Sequence, residues 1–370
     1  MAMTDNQQDE FAMDMALRLA RRGEGCTRPN PPVGAVLMRA GRVVGQGWHR
    51  RAGGPHAEVY ALRQAGARAR AATLYVTLEP CSTAGRTPPC TDAVIAAGVR
   101  RVVVAATDPD PRHCGRGLAL LRRAGIAVAT GVRREAAQAL LSPFARRMIQ
   151  GRPYLTLKLG QTLDGRIADA TGCSRWITGA PARREVQALR RRCDAVLVGA
   201  GTVLADNPSL LPRPAAGRRP WRVVVDARGR VLPTARIFTD GAASQTVVAT
   251  TAACSDARRR AYARTGATVW TLPADARGRI RLTKLMACLQ TLGALHVLCE
   301  GGGELAASLL TAKLVDEAWI FIAPAFLGGD GVAAVSGAGG RLATLPRWRV
   351  VEQRLCGGDV LVRVRPDGKR

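Results

Sequence analysis

Two short apolar runs, Val33 to Met38 and Arg42 to Trp48, flank Ala40-Gly41, and this pattern predicts a β-hairpin. Upstream, Phe11, Met15, Leu17 and Leu19 with the intervening alanines predict an amphipathic helix over 11–20. Downstream the pattern alternates: helix 56–66, strand 73–78, helix 90–98, strand 101–106, helix 116–124, strand 126–130, helix 133–149. Strands alternating with helices predict a layered α/β domain with much of its sheet parallel. Gly151-Arg152-Pro153 interrupts the helical run and a second series begins. Its predicted strands are 154–159, 194–199, 221–226, 246–250, 267–271, 295–300, 316–322, 347–355 and 359–365. Its predicted helices are 180–192, 256–264, 281–292 and 303–311. The last strands have little helix between them, so an antiparallel hairpin should end a mixed sheet. The expected domains are 1–149 and 150–370, with no repeat of fixed period.

Length and composition agree with two cores, since 370 residues exceed one ordinary domain and 47% are apolar. Ten cysteines lie scattered without framework spacing, which suits a reducing compartment and a cytoplasmic protein. Met1 to Glu10 has no apolar core of a signal peptide, and no run reaches the roughly 18 apolar residues of a membrane span. The net charge of +27 is the feature that needs an account. Much of it is arginine in pairs and triplets on helical stretches, such as Arg183-Arg184, Arg190-Arg191-Arg192 and Arg258-Arg259-Arg260. Aromatic residues make up only 4%, too few for a base-stacking platform. The charge is therefore read as solvated helix faces, nucleic acid is not an expected partner, and anionic small molecules are.

Specific chemistry sits in Pro55-His56-Ala57-Glu58, Leu78-Glu79-Pro80-Cys81 and Cys90. One imidazole and two thiolates can hold Zn²⁺ with a fourth position open to water. Bound there, water falls in pKa from about 16 to about 7, and Glu58 is placed to carry its proton to a leaving amine. Nucleobase deaminases usually close this motif with Cys-x-x-Cys, whereas eight residues separate Cys81 from Cys90 here. A closed structural zinc site or two buried thiols are the plainer readings, and His49 is the nearby candidate for a fourth ligand. His56 and Cys90 each open a predicted helix and Cys81 ends a strand. Helix starts favour the thiolate.

The second half lacks the Gly-x-Gly-x-x-Gly of a Rossmann unit. It has Cys299-Glu300-Gly301-Gly302-Gly303-Glu304 between a strand and a helix, and Gly199 to Pro208 after another strand. Either could be a tight turn; two Gly-bearing strand ends at one sheet edge fit a phosphate or dinucleotide. Lys158, inside an apolar strand, is either a water-facing alternation or a substrate-facing cation. Thr178 is a candidate cap for the helix that follows.

Together these segments resemble the bifunctional riboflavin-biosynthesis enzymes that join a pyrimidine deaminase to a pyrimidine reductase. The resemblance rests on Pro29-Asn30-Pro31-Pro32-Val33-Gly34, His49 through Glu58, Leu78 through Ser82 and Gly85-Arg86-Thr87-Pro88-Pro89-Cys90. It continues through Leu163-Asp164-Gly165-Arg166, Trp176-Ile177-Thr178, Val203 to Leu210 and Glu300-Gly301-Gly302. It implies a cytidine-deaminase-like α/β/α domain followed by a dihydrofolate-reductase-like α/β domain. It implies zinc-dependent deamination of 2,5-diamino-6-ribosylamino-pyrimidinone 5′-phosphate, then NADPH reduction of the ribosyl C1′ to a ribitylaminouracil phosphate. Asn30, His49 and Arg86 would hold the first substrate. Ser174, Arg190, Leu210, Arg213 and Glu300 would hold the second, with Lys158 beside them. Gly160, Trp176, Thr202, Asp206 and the segment Gly302, Gly303, Glu304, Leu305, Ala306, Ala307 and Ser308 would hold NADPH. Family members are commonly homo-oligomers. Thr83-Ala84, Asp110 and Leu211 depart from the family pattern, Asp110 by setting an acid near an anionic substrate. The rival readings are an RNA or free-base zinc deaminase with a basic nucleic-acid-binding second domain, and a zinc-stapled basic scaffold.

Overall fold

Thr4 starts the first helix with a capping box: its hydroxyl accepts from Gln7 N at 3.4 Å and the Gln7 side chain accepts from Thr4 N at 3.0 Å. Helix α1 (Asp5–Arg21) therefore begins well before the apolar stripe at Phe11. The computed structural model describes residues 4–214, 218–337 and 341–368. The chain divides into two compact units, Met1–Arg152 and Pro153–Arg370. No helix among the described residues is long and apolar enough to cross a membrane.

In the first unit, β1 (Gly34–Arg39), β2 (Arg42–Trp48), β3 (Thr73–Leu78), β4 (Arg101–Ala106) and β5 (Ala127–Thr130) form one sheet in the order β2-β1-β3-β4-β5. The hairpin and β1–β3 pair antiparallel, and β3–β4–β5 pair parallel. Helices α1 and α5 (Arg134–Gln150) cover one face, and α2 (Ala57–Ala65), α3 (Cys90–Ala96) and α4 (Arg116–Arg123) the other. Small residues let the helices in close. A Cβ at Gly34 would stand 2.0 Å from Ala16 O, and one at Gly47 2.5 Å from Ala57 O. Gly34→Ala is thus expected to force α1 off the sheet and destabilise this unit by about 3 kcal/mol, read as a lower urea midpoint. Buried Asp9 pins α1 from within, accepting from Tyr75 Oη at 2.9 Å and from both Arg101 amino groups at 2.7 and 2.6 Å.

The second unit is built on nine strands in the order β11-β10-β9-β8-β12-β6-β13-β16-β15. These are β6 (Tyr154–Thr162), β8 (Ala195–Gly199), β9 (Trp221–Val225), β10 (Thr246–Thr250), β11 (Thr268–Thr271), β12 (His296–Cys299), β13 (Glu317–Ala323), β15 (Trp348–Cys356) and β16 (Asp359–Pro366). All pairs from β11 to β13 are parallel, and β16 and β15 close the sheet antiparallel. Between the strands run α6 (Ala180–Arg192), α9 (Asp256–Arg264), α10 (Leu282–Thr291) and α11 (Gly303–Thr311).

Four elements here were not expected from the pattern: α7 (Ala200–Asp206), α8 (Arg236–Thr239) and the small pair β7 (Arg166–Ala168) with β14 (Val332–Ala333). The Gly199–Pro208 segment is thus mostly helix, not an open loop. Thr178 does not cap α6. Gly179 takes that place, with its N–H donating to Asp359 Oδ2 at 2.7 Å, and Pro181 sits in the first turn.

At the opposite strand ends His296 makes a 2.8 Å hydrogen bond with Thr156 Oγ1, and burial lowers its pKa to about 4. The folded state refuses a proton that the unfolded chain accepts below about pH 6.5, so this contribution is intact above 6.5 and lost as pH falls towards 4. A loss on the order of 2–3 kcal/mol is expected across that window. Thermal melts at stepped pH check it, and His296→Gln should flatten the slope.

Candidate functional sites

The strand-then-helix alternation of the first unit delivers three ligands to one sheet edge. His56 is the N-cap of α2, Cys81 follows β3, and Cys90 opens α3. His56 Nδ1 lies 3.1 Å from Cys90 Sγ and 3.5 Å from Cys81 Sγ, and all three donor atoms lie within 4.8 Å of one another. A tetrahedral Zn²⁺ with ordinary bond lengths needs N···S separations of about 3.6 Å, so this donor set fits it. Hydrogen bonding from Cys90, opposed by burial and aided by His56, lowers the Cys81 thiol to about 4. His49 is not a fourth member of the group. Its Nδ1 bonds Pro55 O at 3.0 Å, its Nε2 faces Asn30 Nδ2 at 3.2 Å, and its ring meets His56 edge-on.

Glu58, in the first turn of α2, is 3% exposed, and its Oε2 has no hydrogen-bond partner. Burial raises its pKa to about 7, against the pull of His56. A carboxyl poised there can both accept and donate a proton at neutral pH. Arg86 is exposed on the 82–89 loop, alongside Gly53. Glu79, within the Leu78–Cys81 motif, has a structural task that its place in the sequence does not announce. Its buried carboxylate accepts from Asp108 N at 3.2 Å, Gly115 N at 2.9 Å, Gly117 N at 2.9 Å and Leu118 N at 3.4 Å. It thereby ties the strand end before Cys81 to the start of α4. Asp110 is not an uncompensated acid. Arg112 grips its carboxylate through Nε and Nη2 and lowers its pKa to about 2.

The second unit holds a cleft of about 1660 Å³ along the C-terminal ends of its parallel strands. Lys158 and Gly160 from β6, Ser174 and Trp176 from the following loop, and Arg190 from α6 line it. So do Thr202 and Asp206 from α7, Leu210 and Arg213, and Glu300 to Leu305 with Ala307 and Ser308. Ala306, fully buried, turns into the core instead.

Arg190 is no solvated helix-face arginine. Its Nε and Nη2 clasp Glu300 at 2.6 and 2.9 Å, and its Nη1 donates to Leu211 O at 3.3 Å, a bond that asks nothing of the Leu211 side chain. Burial raises the Glu300 carboxyl, but Arg190 and Lys158 outweigh it and hold it below its ordinary value. Burial lowers Lys158. Gly160 makes room for this ammonium: a Cβ there would sit 3.1 Å from Lys158 Nζ. Ser174 Oγ donates to Asp206 Oδ1 at 2.8 Å, and Gly302 N donates to Thr202 Oγ1 at 3.1 Å, so the two glycine-bearing strand ends do meet. A Cβ at Gly303 would stand 2.3 Å from Ala333 O. Sequence reasoning passed over Arg222, whose fully buried guanidinium holds Ser209 O at 3.0 Å, Asp240 at 2.6 Å and Ile237 O at 2.7 Å. It fixes the loop bearing Leu210, a non-glycine residue at φ +62°.

Comparison with known proteins separates the rival readings. The family model of the RibD C-terminal domain matches residues 153–362, and that of the cytidine and deoxycytidylate deaminase zinc-binding region matches residues 6–106. The riboflavin biosynthesis protein RibD of Escherichia coli (strain K12) is 45% identical over 368 residues, covering 95% of this chain and 98% of that one. The chain belongs to the RibD family. RibD of Bacillus amyloliquefaciens is 42% identical over 98% of this chain and 97% of that one. Among solved structures, Acinetobacter baumannii RibD superposes with a TM-score of 0.87 at 37% identity, covering 98% of this chain and 100% of that one. A diaminohydroxyphosphoribosylaminopyrimidine deaminase/5-amino-6-(5-phosphoribosylamino)uracil reductase from Thermotoga maritima gives the same score at 35% identity and the same coverage. The matches do not favour an RNA or free-base deaminase with a basic second domain, and the fold is the expected cytidine-deaminase-like domain followed by a RibD reductase domain.

Proposed function

We propose that the chain catalyses two consecutive steps of riboflavin biosynthesis, one in each unit. The observation that carries this is the convergence of His56, Cys81 and Cys90 beside a buried carboxyl, Glu58, with no hydrogen bond at Oε2. When bound by the three ligands, Zn²⁺ supplies the acidification that makes hydroxide available near neutral pH. Glu58 takes the proton from water adding at C2 of the diaminopyrimidinone and returns it to the exocyclic amine. The C2–N bond breaks and ammonia leaves. Asn30 and His49, already joined by a hydrogen bond, orient the ring, and Arg86 meets the phosphate.

In the second unit the cleft residues would hold NADPH, which when bound would supply a hydride for C1′ of the open imine. The imine nitrogen needs a proton, and Lys158 Nζ, whose hold on its proton burial weakens, is suited to give it. Glu300 and Arg190 fix the neighbourhood of Lys158. Ser174, Leu210 and Arg213 bind the substrate, and Gly160, Trp176, Thr202, Asp206 and the residues from Gly302 bind the coenzyme. The N–H groups at the start of α11 would suit the phosphates of a bound coenzyme. The partners are phosphorylated pyrimidine nucleotides and a second copy of the chain. The outer strand β15, with Val350 59% and Leu355 74% exposed, offers an edge for that copy. Cysteines without a disulfide among the described residues support a cytoplasmic setting.

Two assays test the reading. Purified protein should release ammonia from the phosphorylated diaminopyrimidine, and should oxidise NADPH once the deaminated product is supplied. A protein replete with zinc that does neither rejects it.

A further inference from the structure

Of the three residues that hold zinc, two owe their places to helices and one does not. His56 is the N-cap of α2 and Cys90 is the first residue of α3. Cys81 lies in irregular chain: residues 79–89 contain no helix or strand, and 83–86 are exposed. Its ties to Thr91 N, 3.2 Å from Cys81 O, and to Cys90 N, 3.3 Å from Cys81 Sγ, join it to the start of α3. They leave the run that enters it from β3 to be fixed by something else. We infer that Glu79 is the positioning residue that sets Cys81 for the metal, by holding Glu79-Pro80-Cys81 against the start of α4; this rests on the zinc reading above.

Glu79 has the contacts of a clamp. It is 5% exposed, its N–H donates to Ala106 O at 3.0 Å, and its two oxygens face two separate pairs of donors. Oε1 accepts from Gly117 N at 2.9 Å and Leu118 N at 3.4 Å, free N–H groups in the first turn of α4. Helix α4 has no capping side chain of its own: its N-cap is Gly115 and its first turn holds no acid. The partial positive charge of a helix start favours a carboxylate there. Oε2 accepts from Asp108 N at 3.2 Å and Gly115 N at 2.9 Å, at the two ends of the loop between β4 and α4. One side chain therefore caps the helix and draws the loop closed.

Gly117 shows how closely the helix is drawn in. A Cβ there would stand 2.1 Å from Pro80 O, so α4 meets the backbone one residue before the ligand. The ring of Pro80 fixes φ and leaves the run little freedom to absorb a shift. Movement of Glu79 is thus passed on to Cys81, and a thiolate moved off its tetrahedral position holds zinc less tightly. Glu79 acts only through Cys81, since both its oxygens are taken by backbone donors.

The test is the zinc affinity of the full chain, measured by competition with a chromophoric chelator. Glu79→Gln keeps the shape, but offers one acceptor oxygen in place of two and turns an amide NH₂ towards one pair of donors. Its zinc Kd should rise about 10- to 100-fold, with NADPH oxidation by the second unit unmoved. Glu79→Asp keeps the charge and withdraws it by one carbon, so its rise should be smaller; it becomes the test variant if Glu79→Gln leaves the first unit unfolded. Arg101→Gln separates positioning from loss of stability, because it breaks the pair with Asp9 at the far end of β4. That variant should lower the melt of the first unit and leave the zinc Kd within about twofold of wild type. A zinc Kd within about twofold of wild type in every folded Glu79 variant, or a rise in Arg101→Gln as large as theirs, overturns the assignment. Wild-type protein that binds no zinc rejects the zinc reading itself, and the assignment with it.

Discussion

Glu58→Gln is expected to lower the deaminase turnover by between about 10²- and 10⁴-fold while zinc content and NADPH oxidation with the deaminated product stay at wild-type level. The size of the effect follows from the isolation of this carboxyl. It is buried, its Oε2 has no partner, and its pKa stands at about 7, so its place in the fold is explained by proton transfer and not by packing. Glutamine keeps the shape and loses the proton. Zinc should stay, because the ligands are His56, Cys81 and Cys90. The reductase should be untouched, because every residue of its cleft comes from the second unit. Metal analysis beside both assays checks all three points, and a variant that keeps zinc and full ammonia release removes Glu58 from the mechanism.

The second large effect is expected at Arg190. Arg190→Ala strips Glu300 of its bidentate partner in a site where both side chains are nearly enclosed, 13% and 9% exposed. Removing one member of such a pair costs about 3–5 kcal/mol, because the remaining charge is stranded. The melting of the second unit should fall accordingly, and reductase kcat/KM by at least about 100-fold as Leu211 and Lys158 lose their alignment. Arg190→Ala/Glu300→Ala should recover part of the stability and none of the activity. That split distinguishes a stranded charge from a lost binding group. A loss in the double variant equal to the sum of the losses in Arg190→Ala and Glu300→Ala would show that the pair is not coupled.

Most of the fold was legible because its strands and helices are long enough to print a period. The hairpin, the three ligands at element ends and the mixed nine-stranded sheet all follow from apolar spacing. What escaped is short or set by tertiary contact. Ala200-Gly201-Thr202 opens α7 directly from β8 with small residues and no apolar stripe. The β7–β14 pair joins segments far apart in the chain, and no local signal announces it. Thr178 looked like a cap by residue type, yet Asp359, from the far end of the chain, satisfies the helix start at Gly179. Asp110 looked like a misplaced charge because a loop hides that Arg112 folds back on it. The arginine-rich composition concealed Arg190 and Arg222 among the solvated guanidinium groups. Only burial separates them.

Strand β6 carries a consequence for the way the chain is made. Its partners are β12 and β13, so Tyr154–Thr162 leaves the ribosome long before residues 296–299 and 317–323 exist to pair with it. Until then Leu155, Leu157 and Leu159 form a bare sticky ribbon beside an already complete first unit. Lys158, in their midst, puts a charge on that ribbon. A charge within an apolar strand works against association of such a ribbon before its partners arrive.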